Sequence, residues 1–158
     1  MSPTDRQQSI DLLDSLKRVL AEWTNPRFLE RMGREAGLDL DASAVTVLTL
    51  AWRHGPVRPS AIAESMATGA SNVSKILARL EAQDLVRRDR DPEDARATLV
   101  NVTENGRAAA TRLDDAGVLT MEHMLSKWTA RQRTEFLVSL QRFEATTIGM
   151  VNEPPKEG

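Results

Sequence analysis

The chain has 158 residues, of which 41% are hydrophobic and 28% charged, and its net charge is -2. This composition excludes a disordered protein and predicts one globular domain. Because cysteine is absent and only two histidines occur, disulfides, thiolate chemistry and a histidine-rich metal site are excluded. The sequence shows neither a membrane-spanning run nor a secretion signal, so we expect a cytoplasmic protein without metal, cofactor or membrane partner.

The N-terminal part of the chain predicts two helices. Residues 9–23 carry apolar side chains at helical spacing, which predicts an amphipathic helix with a broad apolar face. Asn25 is a good N-cap and Pro26 suits the first helical position, so a short second helix should follow. We expect this helix to end at Gly37.

Three further helices are predicted, the last two as a closely spaced pair. Asp41 is the expected N-cap of the third helix, which should end near Arg53 because Gly55 and Pro56 follow it. The next segments, RPSAIAESM and SNVSKILARLEAQ, are separated by the turn ATGA, which is typical of a helix-turn-helix pair. The apolar positions of the second segment share one helical face and are Val73, Ile76, Leu77 and Leu80.

The C-terminal half predicts a β-hairpin followed by two long helices. The β-prone runs LVRR and TLVNVT flank the charged stretch RRDRDPEDAR, which predicts a hairpin with a long tip. A helix is expected over residues 103–128, with Gly106 and Gly117 as weak points. Thr129 and Gln132 form a T-x-x-Q capping box that begins the final helix. This order of elements predicts a mainly α fold, a winged helix-turn-helix with a two-stranded β-wing and flanking helices at both ends.

The run LxxxDLVxRxxxPxDxRxxxVxxTxxG, which begins at Leu80, resembles the MarR family of bacterial winged helix-turn-helix transcriptional regulators. The resemblance covers residues 40–107 and implies that this segment is the DNA-binding lobe. Many members of the family have glycine where this chain has Asp84. A backbone with positive φ is easiest for glycine, but aspartate tolerates it better than most residues do.

The resemblance also implies which residues contact DNA. The helix from about Ala70 to Gln83 would be the recognition helix, whose N-terminal residues face base edges in the major groove. Arg96, near the wing tip, suits the narrow minor groove, and Asp94 would hold its side chain in place. The candidates on the recognition helix share its polar face and are Ser71, Asn72, Ser74, Lys75 and Arg79.

The flanking helices, residues 5–36 and 108–151, are implied to form a homodimer. Residues 152–158 are expected to form a flexible tail because they are the end of the chain. Two recognition helices would then meet successive major grooves, so double-stranded DNA with an inverted repeat is the expected partner. We expect a repressor. We do not expect an enzyme, because the sequence shows no converging acid, base or metal-binding groups. The alternative is a winged-helix module that binds protein and not DNA.

Five residues are candidates for a pocket that binds a small aromatic or phenolic effector, the ligand class implied by the resemblance. An ordinary structural role is the competing interpretation: the aromatic rings would belong to the core, and positive charge is favoured at a helix C-terminus. The five candidates are Trp23, Phe28, Trp52, Arg53 and His54.

Overall fold

A computed structural model describes residues 3–94 and 97–152. The described residues form seven helices and one antiparallel hairpin, in the order predicted from the sequence. The elements are α1 (Pro3–Trp23), α2 (Pro26–Glu35), α3 (Ala42–His54), α4 (Pro59–Ser65), α5 (Ala70–Ala82), β1 (Val86–Arg90), β2 (Thr98–Val102), α6 (Glu104–Met124) and α7 (Ala130–Asn152).

The chain divides into two compact units, Met1–Gly117 and Val118–Gly158, and α6 begins in the first and ends in the second. The single domain expected from the chain length, and its subdivision into a DNA-binding lobe and dimerisation helices, stay predictions. Residues 153–158 of the predicted tail lie outside the described residues.

Local capping interactions set the ends of α2 and α3 where the sequence predicts them. The Asn25 side chain accepts a hydrogen bond from the Arg27 amide at 3.0 Å, and the chain leaves α2 through Gly37 at φ 67°. The Asp41 side chain accepts from the Ala44 amide at 2.9 Å, and α3 ends at Gly55 with φ 72°. Both glycines have positive φ, a conformation that other residues rarely adopt.

The core of the first unit is built by α2 to α5, the hairpin and the first part of α6. All four apolar residues predicted on the inner face of α5 are buried, which confirms the periodicity of that helix. Burying each such side chain contributes roughly 1.5–3 kcal/mol. The largest fully buried side chains, at most 1% exposed, are Leu48, Ile62, Ile76, Leu77, Leu80, Val47, Val73 and Val100.

The hairpin pairs residue for residue, from Val86 opposite Val102 to Arg90 opposite Thr98. Val57, in the short connection before α4, bridges the other edge of β2. Its amide donates to the Val100 carbonyl at 3.1 Å, and the Val100 amide donates back at 2.8 Å. The wing is therefore joined by backbone hydrogen bonds to the segment that leads into the helix-turn-helix.

The start of α6 is fitted closely against the loop after α5. Thr103 caps the helix: its hydroxyl oxygen accepts from the Gly106 amide at 2.9 Å and donates to the Asp84 carbonyl. A Cβ at Gly106 would lie 1.8 Å from the Leu85 carbonyl oxygen. This close approach requires glycine at position 106, a packing role that its prediction as a weak point of the helix did not include. Asp84 has φ 54°, as its place in the motif predicts.

In the second unit, α6 ends at Met124 and not at Trp128 as predicted. After Met124 the chain tightens into a turn: the Ser126 amide donates to His123 and the Trp128 amide to Leu125. The predicted capping box is confirmed, because the Thr129 amide donates to Gln132 Oε1 at 2.9 Å and Thr129 Oγ1 accepts from the Gln132 amide at 3.3 Å. Within residues 3–94 and 97–152, no helix is long and apolar enough to cross a membrane.

Asp41 also connects two helices, because its carboxylate pairs with Arg79 of α5 as well as capping α3. We expect Asp41→Ala to lower the free energy of unfolding by about 1 kcal/mol at pH 7, since it removes the capping acceptor. Asp41→Asn retains an acceptor and serves as the control, with a smaller loss. Urea titrations of the two variants and the wild type measure both values; equal losses would contradict a capping role.

The same carboxylate predicts how this effect depends on pH. Burial tends to raise the pKa of Asp41, but hydrogen bonds from Ser43 and the Ala44 amide, together with Arg79, lower it below 3.8. A lowered pKa means that the carboxylate stabilises the folded chain above pH 3.8 and loses this contribution as the pH falls through the folded value. The difference between wild type and Asp41→Asn should therefore shrink in acid.

Candidate nucleic-acid interface

The polar face of α5 is exposed along its whole length. The five residues predicted to face the major groove are all on this face, opposite the buried apolar residues. The Asn72 amide group donates to Thr68 Oγ1 at 3.1 Å, which links the first turn of α5 to the preceding turn. Ser71 and Lys75 extend the same exposed surface. The structure thus brings these side chains together on a convex surface beside the wing.

Two arginines form ion pairs that connect α5 to other elements. Arg79, a predicted DNA contact, pairs with Asp41 at the start of α3, so its guanidinium has a protein partner. Arg88 of β1 donates to the Ser74 carbonyl at 3.3 Å and pairs with Glu81 at 3.2 Å. Arg88 was not among the residues predicted to contact DNA, because a charged strand residue gives no sign of which helix it will contact.

A third ion pair lies along the wing strands. Arg87 pairs with Asp89 at 2.9 Å, and the Asn101 side chain donates to the same carboxylate oxygen at 2.7 Å across the hairpin. The Arg87 guanidinium and the Asn101 amide together lower the pKa of Asp89, although desolvation opposes them. Part of the charge in the stretch RRDRDPEDAR is therefore neutralised by ion pairing within the wing itself.

At the tip of the wing, Asp91 is only 8% exposed and is surrounded by donors. Its Oδ1 accepts from the Glu93 amide at 2.9 Å, and its Oδ2 lies 2.6 Å from Arg58 Nη2 and 3.2 Å from Arg58 Nε. These interactions, with the Glu93 amide first and Arg58 second, lower the pKa of Asp91 despite desolvation. The residues Asp-Pro-Glu are a turn signal in which an aspartate bonds to the backbone two residues on. That signal could have identified Asp91; nothing local identifies Arg58.

Of the two predicted wing contacts, the structure describes one. Asp94 Oδ2 lies 4.0 Å from Arg58 Nη2, and the Asp94 carbonyl accepts from the Ala97 amide at 2.8 Å. Arg96 lies outside the described residues. The pairing of Asp94 with Arg96, and the entry of Arg96 into the minor groove, therefore stay predictions.

The candidate effector residues fall into two groups in the first unit. The rings of Trp23 and Phe28 stack with centroids 6.1 Å apart. Trp52 Nε1 donates to Asp114 of α6 at 3.3 Å, and Arg53 lies 3.7 Å from the same carboxylate. His54 is exposed in the last turn of α3.

Trp52 also lines a cleft of about 230 Å³ at the ends of α3 and the hairpin. Arg87, Asn101 and Arg107 contribute polar groups to this cleft, and Ala51 and Val102 contribute apolar surface. Of the predicted effector residues, only Trp52 is part of it. No group of acidic or histidine side chains within residues 3–94 and 97–152 is arranged to hold a metal ion.

Comparison with known sequences places this geometry among transcriptional regulators. Residues 40–98 match the sequence model of the MarR family. The chain is 29% identical to the HTH-type transcriptional regulator YxaD of Bacillus subtilis over 121 residues. These residues cover 77% of this chain and 84% of YxaD. It is 35% identical over 88 residues to the HTH-type transcriptional regulator YfiV of the same organism, covering 56% of this chain and 55% of YfiV.

Comparison of folds gives the same result. The crystal structure of apo MarR from E. coli matches with a TM-score of 0.69 and 20% identity, over 83% of this chain and 95% of that chain. This likeness shows a shared mostly helical fold with a two-stranded wing. Sequence match, fold and the exposed helix beside a wing agree, and residues 40–98 form a winged helix-turn-helix of the MarR family.

Proposed function

We propose that this chain is a homodimeric repressor that binds an inverted-repeat operator in double-stranded DNA. The observation that carries the proposal is the exposed polar face of α5, which lies beside β1 of the hairpin and carries no large apolar side chain. Asn72 can pair with adenine, Lys75 with guanine or phosphate, and the serine hydroxyls can donate or accept. In this proposal the α5 face enters the major groove and the wing tip reaches the adjacent minor groove.

The homodimer is supported by apolar side chains that each unit leaves exposed. In α7, Phe136, Leu140 and Phe143 repeat on one side and are 41%, 45% and 53% exposed. In α1, Leu13 and Leu20 are 52% and 55% exposed. Exposed apolar surface of this extent marks interaction sites. Covering it with the same helices of a second copy would set two recognition helices about one DNA turn apart.

We also propose that a small aromatic or phenolic effector releases the DNA by favouring a dimer whose recognition helices are wrongly spaced. The indole and guanidinium that face Asp114 support a polar anchor near an aromatic ring. A ligand that binds the dimer with wrongly spaced recognition helices more tightly would shift the population away from the dimer that binds DNA.

The function is tested by incubating the purified protein with sheared DNA of its source genome and sequencing the retained fragments. We expect enrichment of one palindromic sequence with half-sites about ten base pairs apart. Repeating the selection with aromatic acids and phenols tests release by an effector. If the protein retains no palindromic sequence, the proposed function is wrong.

Arg96→Ala tests the wing contact that the proposed function includes. We expect the variant to bind the selected operator about 1–3 kcal/mol more weakly, because a guanidinium in the minor groove is lost. Fluorescence anisotropy with a labelled operator measures the change. Arg131→Ala in α7, whose guanidinium pairs with Glu135, is the control and should leave affinity unchanged. Equal affinities for Arg96→Ala and wild type would show that Arg96 makes no contact with the operator, whereas failure of the wild type to retain any operator would favour the protein-binding module.

A further inference from the structure

The contact between Arg58 and Asp91 joins two elements that the proposed function requires in a fixed relation. Arg58 immediately precedes α4, the first helix of the helix-turn-helix, and occupies its N-cap position. Asp91 follows β1 at the tip of the wing. The two side chains are separated by 33 positions in sequence and make two hydrogen bonds through one carboxylate oxygen.

The other oxygen of Asp91 holds the backbone of the wing tip. It accepts from the Glu93 amide, and the Asp94 amide also bonds to this carboxylate. Two backbone hydrogen bonds also close the tip. The Asp91 amide donates to the Ala97 carbonyl, and the Ala97 amide donates to the Asp94 carbonyl. One side chain thus shapes the tip with one oxygen and anchors it to the helix-turn-helix with the other.

Without this anchor, the only backbone link from the wing to this segment among the described residues is the Val57–Val100 bridge. That bridge lies in the middle of β2, so the contact of Arg58 with Asp91 is the hydrogen-bonded link between this segment and the tip itself. The Arg58 guanidinium is planar and can engage the carboxylate through two N–H groups, which restricts rotation as well as distance.

We propose that Arg58 is a positioning residue, which holds the wing tip through Asp91 in the orientation that the minor groove accepts. This inference rests on the proposed function. The pair orders the tip before DNA arrives, so the cost of ordering it is not subtracted from the binding free energy. Arg58 itself need not touch DNA; it acts through Asp91 on the residues of the tip.

The test measures the affinity of four variants for the operator recovered from the genomic selection: Arg58→Met, Asp91→Asn, Arg96→Ala and the double variant Arg58→Met with Arg96→Ala. We expect Arg58→Met and Asp91→Asn each to weaken binding about tenfold, because several tip side chains must then be ordered on binding. Arg87→Met is the matched control. It breaks an ion pair of the same kind within the wing, and should leave affinity unchanged.

The double variant separates positioning from a general structural effect. If Arg58 acts through the wing tip, Arg58→Met should add little once Arg96 is removed, because the contact that it orients is already lost. Hydroxyl-radical footprints should lose minor-groove protection at the ends of the operator and keep it in the centre. Arg58→Lys, which keeps the charge but not the planar fork, should restore only part of the affinity.

Several results would overturn the inference. Unchanged affinity of Arg58→Met would do so, as would a loss of equal size with and without Arg96. Weak binding by Arg58→Met together with full binding by Asp91→Asn would indicate a direct phosphate contact instead. If Arg96→Ala binds like the wild type, the wing does not contribute and the positioning role is lost, although the proposed function survives. If the wild type retains no operator, the proposed function has failed first.

Discussion

Gly106→Ala is expected to destabilise the first unit by about 3 kcal/mol, at the upper end of the range for overpacking. A Cβ at this position would lie 1.8 Å from the Leu85 carbonyl oxygen and 2.8 Å from its carbonyl carbon. Both are backbone atoms, so no side-chain rotation can relieve the overlap. The start of α6 would have to move, and the Thr103 cap and its bond to Asp84 would be lost with it.

Gly117→Ala is the matched control for this prediction. Gly117 is in the same helix, and a Cβ there meets nothing within 4 Å. Alanine should therefore stabilise the helix by about 0.5–1 kcal/mol, because glycine loses more backbone entropy on folding. Urea unfolding followed by circular dichroism measures both variants. If Gly106→Ala and Gly117→Ala change the free energy of unfolding in the same direction, the close approach to Leu85 does not require glycine at position 106.

The second prediction concerns the apolar face of α7. Replacing Leu140 and Phe143 together by glutamate is expected to convert the proposed homodimer into a folded monomer and to weaken operator binding by roughly 10²-fold or more. Both side chains are about half exposed within the unit, so the charges should not disrupt its own packing. A monomer binds each half-site independently and loses the gain from linked binding.

The control is Thr146→Glu, which places the same charge on the side of α7 occupied by Glu135 and Arg142. This variant should remain a dimer and bind the operator as the wild type does. Sedimentation velocity gives the oligomeric state, circular dichroism the helical content, and anisotropy the affinity. A stable dimer carrying both glutamates would rule out this face as the interface.

Much of the fold could be predicted because its signals are local. Capping residues and prolines mark the starts of α2, α3 and α7, and alternation of apolar residues marks the hairpin. The first helix begins at Pro3 and not at residue 9, since its first turns are polar and show no apolar period. The end of α6 was missed because no glycine or proline marks it; the chain simply tightens after Met124.

The candidate DNA-contacting residues of α5 could be predicted because they are the exposed positions of an amphipathic helix. Helical periodicity separates the buried face of α5 from the polar face, and the structure agrees at each position. Ion pairs between distant segments were not predictable: Arg79 pairs with Asp41 across 38 positions, and Arg58 with Asp91 across 33. In a stretch with as many basic as acidic residues, pairing depends on which strands and helices meet, and only the folded chain determines that.

Asp84 shows how a departure from the family motif is compensated. Its positive φ disfavours any residue other than glycine, yet its carboxylate accepts a hydrogen bond from the Asn105 side chain at 2.7 Å. A glycine here would relieve the backbone and delete that bond, so the two effects oppose each other. Positions 84 and 105 are therefore coupled. In related chains, the residue at one position should be interpreted together with the residue at the other.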